Sequence, residues 1–149
     1  MGTTNEPTVI PYILVNGAAQ AIDFYRKVFA AEETGARFTD PSGKVGHAEI
    51  TIGNSRIMLA DETPPDYRFS PITFHLRVAD ADAVVTRAVT AGAKLSRPVI
   101  DQPYGDRSGV VVDPFGHSWM VSQRMEEVTT TELQQRMGDS YAISEAPAR

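Results

Sequence analysis

Val9-Ile10-Pro11-Tyr12-Ile13-Leu14-Val15 and Ile72-Thr73-Phe74-His75-Leu76-Arg77-Val78 each open a run of elements, and the two runs follow the same order. Both stretches are short, apolar and rich in β-branched residues, which predicts strands. After the first, Asn16-Gly17 turns the chain into a helix. Ala18, Ala21, Ile22, Phe24, Tyr25, Val28 and Phe29 recur there at helical spacing, with Asp23, Arg26 and Lys27 facing out. Three strands follow. Glu33 to Thr39 carries the weakest pattern and ends at the Asp40-Pro41-Ser42-Gly43 turn. His47 to Ile52 alternates, with His47, Glu49 and Thr51 on one face and Ala48, Ile50 and Ile52 on the other. Gly53-Asn54-Ser55 then turns into Arg56 to Ala60.

The second run repeats this grammar. Asp80 or Asp82 caps a helix whose buried stripe is Val84, Val85, Ala88 and Val89, and Gly92 ends it. Lys94 to Ile100 and Ser108 to Val112 read as strands, with Tyr104, Asp106 and Arg107 in the loop between them. Asp113-Pro114-Phe115-Gly116 turns into a last strand, His117 to Gln123. Tyr12-Ile13-Leu14 aligns with Phe74-His75-Leu76, and Gly53-Asn54-Ser55 with Gly116-His117-Ser118, with about one residue of slip. The expected organisation is a flexible start over 1–8 and one domain over 9–123. That domain divides into module one (9–61), a proline-bearing linker (62–70) and module two (71–123). A short capped helix and a frayed tail fill 124–149.

Composition narrows the function. The 149 residues hold no cysteine, so disulfides, thiolate nucleophiles and cysteine zinc sites are excluded. A net charge of -5 opposes nucleic-acid binding, which needs clustered Lys and Arg. No apolar run approaches the ~20 residues of a bilayer span, and no basic stretch leads into an apolar one near Met1. A cytoplasmic protein without a membrane or nucleic-acid partner is expected. Neither a Ser-His-Asp order nor a phosphate-cradling glycine loop is present.

Pro11-Tyr12-Ile13-Leu14-Val15, Ala21-Ile22-Asp23-Phe24-Tyr25, Gly46-His47-Ala48-Glu49-Ile50 and Asp113-Pro114-Phe115-Gly116-His117, in that order, resemble the vicinal oxygen chelate superfamily. This is the glyoxalase, bleomycin-resistance and extradiol-dioxygenase group. Gln102-Pro103-Tyr104-Gly105-Asp106-Arg107 is similar to its PhnB-like branch. The resemblance runs from Val9 to Gln123. It implies an α+β fold of two βαβββ modules whose curved mixed sheets surround a cleft, usually in a homodimer.

Metal enzymes of that group draw His, Glu or Gln ligands from the first and last strands of each module. Carried onto this chain, those positions fall at Ile10 or Pro11, Leu59, Thr73 and Met120, none of which is such a ligand. No metal and no cofactor is therefore expected. The resemblance points to a metal-independent protein that binds a small molecule, as antibiotic-sequestering members do. Strand alternation puts Thr73, His75 and Arg77 on one face, with Arg77, His75 and Arg107 as polar anchors. His47, Glu49 and Tyr104 border the expected cleft, and Met58, Leu59 and Met120 give it an adaptable apolar lining. The alternative is an isomerase, lyase or epimerase with His75 or Glu49 as base, or with His47, Glu49 and His75 as a shifted metal site. A third reading assigns the C-terminal helix to a protein partner.

Overall fold

The computed structural model describes residues 5–149, so the first half of the segment expected to be flexible lies outside the described residues. In chain order the elements are β1 (Tyr12–Val15), α1 (Ala18–Phe29), β2 (Glu32–Thr39), β3 (Val45–Ile52), β4 (Ser55–Asp61), β5 (Thr73–Arg77), α2 (Ala81–Thr90), β6 (Lys94–Asp101), β7 (Asp106–Val112), β8 (Ser118–Arg124) and α3 (Thr130–Met137). They build an α+β fold with two four-stranded mixed sheets, ordered β1-β4-β3-β2 and β5-β8-β7-β6. In each sheet the first strand runs parallel to the last and forms an edge. No helix among the described residues is long and apolar enough to cross a membrane.

The helices form where the apolar spacing requires, but their ends are fixed differently. Gly17 precedes α1 and offers no side-chain cap. Asp61, at the far end of β4, supplies it: Oδ1 accepts from the Gly17 and Ala18 amides at 2.7 and 3.0 Å, and Oδ2 from the Val45 amide. For α2, Asp80 accepts from the Ala83 amide, which decides between the two candidate caps. Asp82 instead pairs with Arg107. Val89 is 42% exposed and lies outside the buried stripe of α2, which is completed by Ala81.

One core serves both modules. Ile13, Val15, Ile50 and Leu59 bury the inner face of the first sheet under α1, and Trp119, Val111 and Val121 that of the second under α2. Across the junction, Tyr25 and Phe29 of α1 meet Trp119 at ring separations of 5.2 and 4.4 Å, and Phe74 stacks on the same indole. Both sheets therefore turn their outer faces away from this shared layer. Residue facing also corrects the alignment of the halves. The Pro11 carbonyl accepts from the Met58 amide as the Ile72 carbonyl does from Ser118, so inward-facing Ile13 matches Phe74 rather than His75.

Candidate functional site

Three surfaces gather most of the candidate residues. The first is a cleft of about 620 Å³ between the N-terminal arm, the β3–β4 hairpin and edge strand β5. Its floor is apolar, made by Phe29, Ile57, Phe74 and Trp119, and Arg56, His75 and Arg77 stand at its rim. The floor is rigid for a physical reason: Phe74 stacks on Trp119 at 4.4 Å and 22°, and the indole nitrogen donates to buried Asp113 at 2.9 Å. Arg56 pairs with Glu6 of the N-terminal arm.

The second surface is the outer face of the first sheet. A lateral row there runs Tyr12, Met58, Glu49, Thr34. The Tyr12 hydroxyl lies 3.1 Å from His47 Nδ1, His47 Nε2 lies 3.6 Å from Glu49, and Glu49 lies 3.9 Å from Arg56. Tyr12 and Phe38 both approach the imidazole, each with ring centroids 5.7 Å away.

The third is the outer face of the second sheet. One row runs His75, Met120, Val110, Arg97, and another Thr73, Ser118, Val112, Lys94. Beside them Ser122 Oγ donates to Asp106 at 2.8 Å, Arg124 Nε donates to the same carboxylate at 2.6 Å, and Arg97 donates to Ser108. Burial on its own would raise the Asp106 pKa. Hydrogen bonds from Ser122 and Arg124, with the charges of Arg124 and Arg77, outweigh it and hold the carboxyl below its ordinary 3.8. A depressed carboxylate pKa stabilises the fold above the ordinary Asp range, and that contribution is lost as pH falls through the folded value. Urea melts should therefore show Arg124→Ala less stable than the parent at neutral pH, with the gap closing below pH 3.8. A gap of constant size across that range would mean Arg124 acts through packing alone.

These placements revise several expectations. Leu59 is fully buried in the core and cannot line a cleft, because β4 turns Met58 outward and Leu59 inward. Arg107 faces α2, pinned by Asp82 at 2.7 Å and Asp101 at 3.1 Å, and so is not an anchor at the cleft. Asp106 belongs to β7 rather than to a loop, and its partner is Arg124 rather than Arg107. Tyr104 sits 39% exposed on the β6–β7 turn. His47 and Glu49 share the first sheet whereas His75 stands on the second. Among the described residues no three His, Asp or Glu side chains converge as metal ligands. The inherited positions carry Thr73 and Met120, so the donor set does not fit the metal known from related enzymes. Tyr12, Arg56, Arg97 and Arg124 were missed. Only the alternation of β1 and β4, which places Tyr12 and Arg56 on the faces opposite Ile13 and Ile57, carried a signal for the first two.

The comparisons with known proteins agree with this architecture. An uncharacterised Mycobacterium bovis protein is 42% identical over 147 residues, covering 92% of this chain and 96% of its own. Among solved structures, a PhnB protein from Bacillus cereus is 19% identical with a TM-score of 0.61, covering 78% of this chain and 99% of its own. TnmS3, an antibiotic binding protein from Streptomyces sp. CB03234, is also 19% identical with a TM-score of 0.61, covering 83% and 99%. At such identity these two likenesses speak to fold. The family model of the glyoxalase/bleomycin resistance protein/dioxygenase superfamily matches residues 7–121, and the chain belongs to that superfamily.

Proposed function

We propose that this chain is a cytoplasmic, metal-independent protein that binds a small molecule in the cleft over Phe74 and Trp119 and works as a homodimer. The observation that carries the reading is a roomy apolar cleft with few polar groups at its rim, the usual form of a ligand site. His75 and Arg77 are the anchors: neither has an ion-pair partner among the described residues. The homodimer draws support from β1 and β5, each hydrogen-bonded along one edge only, because open strand edges invite a second chain. Antibiotic binding by TnmS3 adds a precedent on the same fold.

Burying about 350 Å² of a flat ligand at about 25 cal/mol per Å² yields roughly 9 kcal/mol gross. Association costs of several kcal/mol leave micromolar binding unless the anchors contribute. In a screen of planar antibiotics read by Trp119 fluorescence, Arg77→Ala is expected to weaken any hit at least tenfold. An unchanged affinity removes Arg77 from the site.

The side-chain contacts that link Tyr12, His47 and Glu49 support a second reading, an isomerase, lyase or epimerase in which Glu49 orients His47 or itself takes a proton. His75 is the other candidate base. Turnover abolished in both Glu49→Gln and His75→Ala, with thermal stability intact, would favour that reading over binding alone.

A further inference from the structure

We propose that the outer face of the second sheet is a subsite for an organic anion, in which Arg77 and Arg97 grip a carboxylate and Val110 and Met120 support the apolar body attached to it. The inference rests on the ligand-binding reading for its setting and adds the charge class of the ligand.

Two guanidinium groups, those of Arg124 and Arg77, act on one carboxylate on this face, and a third, that of Arg97, reaches the neighbouring Ser108. Asp106 is 3% exposed, and each of its oxygens already accepts one hydrogen bond, from Ser122 and from Arg124. Arg77 stands opposite Ser122 across the β5–β8 pair and feels Asp106 only through its charge. Arg97 gives one hydrogen bond to Ser108, which is fully buried, and its Nε is a buried donor with no acceptor. A buried unsatisfied donor costs free energy that an acceptor oxygen recovers. The two arginines thus bring more cationic hydrogen-bonding capacity to this face than its own acid can use. Guanidinium matches carboxylate in plane and spacing, which favours that group over a neutral carbonyl.

The backbone is shaped to deliver Arg97 there. The β6–β7 register breaks on both sides of Arg97, and β6 bulges hard against β7 at Gly109. A Cβ at Gly109 would stand 2.8 Å from Val99 Cγ2 and 3.0 Å from the Arg97 carbonyl, so only glycine admits this approach. Between His75 and Arg97, one row over from Arg77, Met120 and Val110 lie side by side. An anion bound there has an apolar strip beside its charged end.

The test uses the full chain with benzoate and, as its neutral match, benzamide. Titrations are followed by the backbone amide shifts of Ser108 and Ser122. Benzoate is expected to move both amides, and benzamide to bind about tenfold more weakly. Arg97→Gln and Arg77→Gln should each weaken benzoate about fivefold or more, and added salt should weaken it further. Arg26→Gln, an exposed arginine on α1, should leave it unchanged. Equal binding of benzamide, an unaffected Arg97→Gln, or an equal loss in Arg26→Gln would overturn the proposal. Failure of the cleft reading registers elsewhere, as Trp119 fluorescence that no planar ligand perturbs, because Arg97 does not line the cleft.

Discussion

Asp113→Ala is expected to lower the stability of the folded chain by about 3–5 kcal/mol, because it takes the acceptor from four donors and each buried donor left unsatisfied costs about 1–3 kcal/mol. Asp113 is 3% exposed, and its two oxygens organise the junction of the modules. Oδ2 accepts from the Tyr25 hydroxyl at 2.5 Å and from the Trp119 indole at 2.9 Å; Oδ1 accepts from the amides of Phe115 and His117. Burial first, and the Asp113 charge after it, push the Tyr25 phenol far above its ordinary pKa, so it remains a donor at every working pH. Alanine would leave these four donors facing nothing. The damage also spreads. His117, held by Asp113, accepts from the Ile72 amide at 3.1 Å, and its other ring nitrogen lies 3.1 Å from the Leu14 carbonyl. It thereby ties β1 to the approach to β5. Urea melts should place Tyr25→Phe, which removes a single hydrogen bond, at about 1 kcal/mol. Asp113→Asn keeps the shape and one acceptor oxygen, so it should fall between the two and remains measurable if the alanine variant does not fold. A loss in Asp113→Ala no larger than that of Tyr25→Phe would show that the aromatic packing holds the junction without the carboxylate.

The sequence made the strands and helices legible because their signals are local. Alternation in His47 to Ile52 and the helical spacing from Ala18 to Phe29 are read within a single element, and the structure keeps both. The Asp113-Pro114-Phe115-Gly116 turn was equally plain. Partners distant in sequence were not. Asp61 caps a helix 44 residues upstream, and Asp106 meets Arg124, 18 residues on, instead of its neighbour Arg107. Arg107 resembled a cleft anchor because nothing near it in sequence reveals that Asp82 lies across the α2–β7 packing. Leu59 was misassigned by a single position, and in a strand one position exchanges cleft for core. The same parity error moved His75 opposite Ile13. A candidate site on two sheet faces is therefore recoverable from sequence only as far as the register of each strand is right.

Gly105→Ala is expected to detach the C-terminal extension, and limited trypsinolysis should then remove residues 125–149 at least tenfold faster than in the parent. Gly105 holds φ at +99°, where a side chain is strained by about 1–2 kcal/mol. A Cβ there would also stand 2.4 Å from the Glu126 carbonyl oxygen and 3.0 Å from Val128 Cγ2. The contact cannot simply lengthen, because the Gly105 carbonyl accepts from the Met125 and Glu126 amides at 2.9 and 3.1 Å. What yields is decided by how firmly each side is held. Residues 106–112 are anchored in the second sheet between β6 and β8, whereas α3 has no buried residue. The extension reaches this turn through those backbone bonds and through Arg136, which donates to Glu126 and to the Pro103 carbonyl. A few partly exposed polar contacts, each about 0.5–1.5 kcal/mol net, are weaker than the clash. The extension should therefore open as a local unit while the two sheets stay folded, with the thermal midpoint lowered only by the few degrees that the φ strain at Gly105 itself accounts for. Unchanged proteolysis with a midpoint lowered beyond that would mean the opposite: that the extension is part of the cooperative fold, and that the strain passes into the second sheet and the arginines on its outer face.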